Sequence, residues 1–305
     1  MALITDSVIF EPSSAPGSPV EGETYYDSTA DMVKVWDGSN WLELSSRESA
    51  TSVTTHATGG DQVRTYTAGG NDYKVHIFYT SGIFQTLGAR NVDVLIVAGG
   101  GGAHSQIYNG GGGAGGLIYK TSELISTQSN AVTVGAGGAI EKRGGNSEFN
   151  SLVALGGGMC AGTATNSDSD GGSGGGSSHS SSGQGAGLQP TSIDGGFGNG
   201  GGDQVYGSPH YGTGGGGGAG GAGVAGTTGN GGAGGIGKPY TIRDGSTSVY
   251  YAGGGGGGRY NDLGTAAGGN GGGGNVGVAG TANSGGGGGA TKAGGSGIVI
   301  IRYIV

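Results

Sequence analysis

The chain has little of what an ordinary folded protein is made from. Charged residues make up only 11% of its 305 residues, less than half of typical usage, which excludes a conventional core wrapped in a charged surface. Thirteen Lys and Arg stand against 21 Asp and Glu, and no stretch gathers basic side chains. That excludes the positive patch that nucleic acid or an anionic membrane surface requires. A single cysteine, Cys160, excludes an internal disulfide framework and fits synthesis in a reducing cytosol. Six prolines without a G-X-Y period exclude collagen. The apolar runs, such as residues 298–301, are far too short to cross a bilayer, so no membrane insertion is expected. No positive flank followed by an apolar stretch opens the chain, so no signal peptide is expected. The five histidines, His56, His76, His104, His179 and His210, lack metal-binding spacing; no metal and no cofactor is expected.

What is abundant is glycine, 83 residues, of which 73 fall between positions 99 and 295. Charge divides the chain as well, since residues 1–72 carry the whole net charge of −8 and the remainder sums to zero. Two constructions are therefore joined. In the first, prolines and serines at 12–19 form an extended spacer, and residues 23–27, 31–36 and 40–44 read as strands with a turn at Asp37, Gly38 and Ser39. Trp36 and Trp41 are expected to pack on that small sheet. A second β block follows, in which Tyr73, Val75, Ile77 and Tyr79 alternate with Lys74, His76, Phe78 and Thr80, and residues 83–87 and 92–98 read as further strands. The only other strong β run is 298–303. Because the glycine-rich segment begins and ends in a strand, residues 92–98 and 298–303 are expected to lie together and close the domain. The domains expected are 1–50, a β attachment module; 51–98, a β block; and 99–305, the glycine-rich domain.

A segment this rich in glycine cannot bury ordinary side chains, and each glycine loses much entropy on ordering. Its runs nevertheless have a grammar: GGGGAGG at 110–116 recurs at 215–221, with further runs at 253–258, 271–274 and 285–289. The conformation that suits pure glycine is the threefold extended helix of the polyproline II type, here polyglycine II. Without Cβ atoms, such helices can approach until each backbone N–H meets a neighbour's C=O. The fold class expected is mainly β and irregular, with packed polyglycine II helices closed by strands and almost no α-helix.

Several motifs are products of this composition. G-x-G-x-x-G matches arise by chance at this glycine density; residues 171–175 (GGSGG) satisfy G-x-S-x-G without the strand and helix that motif needs. Residues 232–238 give G-x-x-x-x-G-K, but Pro239 stands where Ser or Thr must bind Mg²⁺. Asn166, Asp168 and Asp170 before Gly171 imitate the start of a Ca²⁺ loop, yet the twelfth position is Ser177, and an exposed polar loop is the expectation. Cys160, beside Met159, reads as a small buried hydrophobe. No enzyme is expected.

The stretch VEGETYYDSTADMVKVWDGSNWLEL resembles a short module recurrent in phage tail and tail-fibre proteins. VDVLIVAGGGG, GGGGAGGLIY, VTVGAGG, GGGGGAGG and the terminal GGSGIVIIRY resemble the glycine-rich domain of many phage proteins and are similar to the polyglycine-helix adhesins at the tips of phage long tail fibres. This likeness covers about residues 70–305. It implies a virion-borne receptor-binding protein whose loops touch a bacterial surface protein or glycan, whose N-terminal module joins other tail or fibre proteins, and which forms a homotrimer. A structural virion component without a receptor of its own is the alternative. On the adhesin reading, contacts fall in the non-glycine insertions 104–109, 204–211, 238–240 and 259–262, where Tyr supplies a rigid ring with a polar tip. The candidate residues are His104, Tyr108, Tyr206, His210, Tyr211, Tyr240, Arg259, Tyr260 and Asn261.

Overall fold

The computed structural model describes residues 15–27, 32–44, 57–106, 108–126, 128–162, 168–179, 183–189, 196–207 and 211–305. His210 and Asn166 lie outside them. The chain divides into two compact units, Met1–Thr55 and His56–Val305.

The first unit is an antiparallel sheet of β1 (Thr24–Asp27), β2 (Met32–Trp36) and β3 (Trp41–Leu44) in the order β1-β2-β3. The turn after β2 forms because the Asp37 carboxylate accepts the N–H groups of Asn40 (2.6 Å) and Ser39 (2.7 Å). Those two bonds hold the carboxyl below its ordinary value. Trp41 packs edge-on against Tyr25 (4.7 Å between centroids) and tilts against Trp36 (5.4 Å), the sheet-packing role expected of both tryptophans.

The second unit is organised by a six-stranded antiparallel sheet. Its strands are β4 (Gln62–Ala68), β5 (Asn71–Phe78), β7 (Arg90–Val97), β8 (Leu117–Ile125), β12 (Gly196–Phe197) and β15 (Ile298–Ile304), ordered β12-β8-β7-β15-β5-β4. β15 lies between β7 and β5, with Ile298 opposite Val97 and Ile300 opposite Ile77. The two strands that flank the glycine-rich segment are thus direct neighbours. Their apolar runs do not alternate because both faces are covered. On one face Phe78, Val94, Ile96, Val299 and Ile301 meet Phe84, Val132, Phe149 and Leu152. The latter belong to, or adjoin, a four-stranded sheet of β11 (Leu152–Ala154), β10 (Ser147–Phe149), β9 (Ser129–Thr133) and β6 (Gly82–Gln85), in that order. On the other face Val75, Ile77, Leu95, Val97, Leu117, Ile298 and Ile300 meet Ala114, Ala219, Ile242 and Tyr251. β13 (Lys238–Tyr240) and β14 (Val249–Tyr251) form a separate pair.

One expectation changes here. Residues 298–303 are not the only strong β run beyond 98, because β8 pairs with β7 over nearly its whole length; its Lys120, Thr121, Ser122 and Glu123 disguise it in the sequence. His76, which alternates with Val75 and Ile77, is buried as they are, with Nδ1 2.7 Å from the Gly59 carbonyl and Nε2 3.3 Å from the Tyr303 hydroxyl.

Beyond the ends of these strands the glycine runs form a bundle with a threefold hydrogen-bonding period. Along 98–103, Ala98 and Gly101 donate to Gly116 and Gly113, Gly99 and Gly102 to Gly145 and Lys142, and Gly100 and Ala103 to Gly295 and Lys292, all at 2.8–3.0 Å. Every third residue faces the same neighbour, the signature of a helix with three residues per turn. The run 111–116 is enclosed on all sides. It donates to Gly214 and Gly217, to Gly288 and Gly285, and to Gly158 and Leu155. Its carbonyls accept from Gly101 and Ala98, from Gly176 and Ser173, and from Gly255. Six neighbouring runs therefore satisfy its backbone, as a sheet does with two. Contact at this distance requires glycine: a Cβ on Gly112 would lie 2.1 Å from the Gly101 oxygen, and one on Gly216 1.9 Å from the Gly112 oxygen. The single alanines of the two GGGGAGG runs, Ala114 and Ala219, are exceptions with a reason, since both sit where the bundle meets the sheet core. Among the described residues no α-helix occurs.

Candidate functional site

The bundle has two ends. Run 98–103 leaves β7 and run 111–116 re-enters β8, so the connection at 104–110 lies at the end remote from the six-stranded sheet. Thr213 opens and Ala219 ends a run whose Ala219 end touches the sheet core, and Tyr251 and Ala252 touch the same core before the run to Gly258. Residues 211–213 and 259–262 therefore share that remote end with 104–110.

Backbone and side-chain bonds stitch these connections into one surface. Buried Thr213 donates its hydroxyl to the Gly258 carbonyl (2.8 Å) and lies 3.0 Å from that of Asn109. The Gly258 N–H reaches Asn109 (3.0 Å), the Tyr260 N–H reaches Tyr211 (3.0 Å), and the His179 N–H reaches Tyr108 (3.3 Å). Tyr206 donates its hydroxyl to the His179 carbonyl at 2.5 Å. The turn at 259–262 is fixed by Arg259, which pairs with both carboxylate oxygens of Asp262 (Nη2 to Oδ2, 2.6 Å) and donates to the Gly229 carbonyl (2.5 Å). The bond to Asp262 raises the guanidinium pKa further. Asn261 turns this corner at φ 79°, a left-handed value that Asn tolerates.

On this frame four tyrosine rings gather around one imidazole. His179 lies 5.0 Å from Tyr211, 5.6 Å from Tyr260, on which it stacks, 5.7 Å from Tyr206 and 6.0 Å from Tyr108. The tyrosines also meet one another, at 5.7 Å for Tyr211 with Tyr260 and 5.9 Å for Tyr206 with Tyr211 and for Tyr108 with Tyr260. Such pairs contribute about 0.5–1.5 kcal/mol each beyond their buried area. The cluster is nevertheless not closed, since Tyr206 is 59% and Tyr260 39% exposed. It offers ring faces and phenol tips held in fixed positions.

The structure thus brings together Tyr108, Tyr206, Tyr211, Arg259, Tyr260 and Asn261 from three expected insertions. His179 was missed by the sequence reading, although it follows the run 171–176 after two serines, the same kind of placement that singled out the tyrosines. His104 begins the loop that carries Tyr108, with its Nε2 3.3 Å from Glu141. The Ser105 hydroxyl (2.7 Å) and then His104 hold the Glu141 carboxyl below its usual range. Tyr240 does not belong with this group. Residues 238–240 are not a loop but strand β13, whose Tyr240 ring packs 4.6 Å from Tyr119. Burial pushes its phenol up to about 12, and Lys238 lies 3.9 Å over the Phe197 ring.

Of the Ca²⁺-like stretch, Asp170 accepts the Ala186 N–H at 2.6 Å and Asp168 is exposed. Among the described residues no group of three or more His, Cys, Asp or Glu could hold a metal ion. Cys160 is fully buried, and burial pushes its thiol up to about 12.

A polyglycine II bundle capped by a two-faced sheet at one end and by an aromatic cluster at the other defines the class of this protein. Residues 79–304 match the glycine-rich domain family, and the chain belongs to that family. No curated protein matches it.

Proposed function

We propose that the chain is a receptor-binding protein of a phage tail fibre, an adhesin whose aromatic end contacts the host cell surface. The observation that carries this reading is the convergence of Tyr108, His179, Tyr206, Tyr211 and Tyr260, from four separate connections, onto one partly exposed surface. Recognition commonly resides on loops held by a rigid scaffold, and rigid rings with polar tips bind at low entropic cost. The glycine runs contribute only backbone and present these rings. On this reading the first unit joins other tail or fibre proteins, the assembled fibre is a homotrimer, and the protein resides in the virion. The test is adsorption of the purified protein to host cells before and after changing Tyr206, Tyr211 and Tyr260 to Ala. Hot-spot losses of about 2 kcal/mol each would reduce adsorption steeply. Unaltered adsorption by a folded triple variant would overturn the assignment of the receptor surface to this end.

A further inference from the structure

We propose that a cleft at the sheet end of the bundle, with Arg243 on its wall, binds a sugar that bears a carboxylate. This cleft has a volume of about 680 Å³ and is lined by Tyr79, Arg243, Tyr250, Tyr251, Asn270 and Asn283, among others. It is separate from the aromatic end: Tyr251 precedes and Arg259 follows the run 252–258, which spans roughly 20 Å at about 3.1 Å per residue. The proposal therefore does not rest on the adhesin reading.

Three observations point to a ligand. Arg243 is half-buried and carries a charge that no carboxylate among the described residues neutralises; its Nη2 donates to the Tyr79 hydroxyl, at 3.3 Å, and the Tyr251 phenol lies beside it. The acid next to it in sequence, Asp244, is tied into its own turn by the Ser246 and Thr247 N–H groups (2.9 and 2.7 Å). Second, Tyr251 is 1% exposed, and its hydroxyl makes no well-formed hydrogen bond; the Arg243 guanidinium is the one donor beside it among the described residues. Buried polar groups are nearly always paired, and one left unpaired on a cleft wall is a position for a ligand atom. Burial pushes this phenol up to about 12, although the charge and close approach of Arg243 oppose it, so the hydroxyl keeps its proton and can donate it.

The third observation is the composition of the remaining wall. Tyr79 and Tyr250 add ring edges and faces, while Asn270, Ser248 and Thr281 add amide and hydroxyl groups. A planar guanidinium fork matches a carboxylate in two-point geometry, and a wall mixing rings with amides and hydroxyls matches a pyranose better than an aliphatic acid. We assign Arg243 to the carboxylate and the Tyr251 hydroxyl to an oxygen of the same sugar.

The experiment is saturation-transfer NMR and calorimetric titration of the full chain with glucuronic acid, with glucose and acetate as separate arms. Glucuronic acid is expected to bind, with neither glucose nor acetate matching it. Arg243→Gln is expected to weaken binding about tenfold or more, the scale of a lost charged hydrogen bond, and Tyr251→Phe severalfold. Both variants are checked for an unchanged melting curve, and the Tyr206, Tyr211 and Tyr260 triple variant should bind glucuronic acid like the parent. No binding at millimolar glucuronic acid, equal binding of acetate or glucose, or undiminished binding by a folded Arg243→Gln protein would each overturn the proposal.

Discussion

Changing Gly112 to Ala tests the bundle at its most enclosed run. The added methyl carbon would sit 2.1 Å from the Gly101 oxygen and 2.7 Å from its carbonyl carbon, so the two runs must separate by more than 1 Å to reach ordinary contact. Run 98–103 cannot withdraw freely, because its other N–H groups are bonded to Gly145, Lys142, Gly295 and Lys292. The displacement strains the bonds from Gly101 to Gly113 (2.8 Å), from Gly112 to Gly288 (2.8 Å) and from Gly255 to Gly112 (2.9 Å). These groups are buried, and stranding two of them costs about 1–3 kcal/mol each. The lower entropy of the unfolded alanine chain offsets only about 0.4–1 kcal/mol. The net loss expected is about 1–5 kcal/mol, a large fraction of the roughly 5–15 kcal/mol that holds a domain together. Urea unfolding followed by circular dichroism measures it. Gly88, with open space around its Cβ position and no left-handed φ, is the control, and Gly88→Ala is expected to be neutral or slightly stabilising. If Gly112→Ala unfolds within about 0.5 kcal/mol of the parent, the runs do not pack backbone against backbone.

Other outcomes follow from the sheet and its surroundings. Ser147 is fully buried, accepts the Gly135 N–H (2.9 Å) and donates to the Val97 carbonyl (2.8 Å); Ser147→Ala should cost about 2–3 kcal/mol in the same assay. Arg302 donates to Asp93 (2.5 Å) and to the Tyr66 hydroxyl (2.8 Å) and lies over the Tyr73 ring (4.8 Å). Arg302→Met strands a partly buried carboxylate and should cost about 2 kcal/mol, with Asp93→Asn recovering part of the loss in a double-mutant cycle. The Tyr240 and Tyr251 phenols are raised from 10.0 to about 12 by burial. Folding favours their neutral form, so this stability is fully present below pH 10 and is lost as pH rises through about 12. Tyrosinate absorbance should show both ionising only as the protein unfolds. Cys160, whose thiol burial pushes up to about 12, should resist a thiol reagent until urea opens the bundle.

Composition and placement determined much of this protein without reference to its tertiary structure. The glycine runs between 99 and 295 have no side chains to bury, although Leu117, Val132, Phe149, Leu152, Ile242 and Tyr251 from between the runs join the sheet cores, and a backbone that is ordered without side chains must pair with other backbone. The expectation of a mainly β, nearly helix-free chain follows from that, together with the apolar runs at 92–97 and 298–301. Their lack of alternation marks strands covered on both faces, and the buried pairing of Ile298 with Val97 agrees. The small N-terminal strands were legible because Asp37, Gly38 and Ser39 mark their turn locally.

Only tertiary structure decided which run lies beside which. The two GGGGAGG stretches are identical in sequence, yet they lie parallel and bonded to one another through Gly111 and Ala114, while run 98–103 crosses the first of them antiparallel. Glycine carries no side chain that could encode a neighbour or a direction. Addressing is left to the strands, to Ala114 and Ala219 at the sheet core, and to the lengths of the connections. For the same reason the aromatic cluster was legible only in parts. Tyr108, Tyr206, Tyr211 and Tyr260 stood out as rings between glycine runs, but His179 at their centre and the withdrawal of Tyr240 into β13 depend on where each run ends in space.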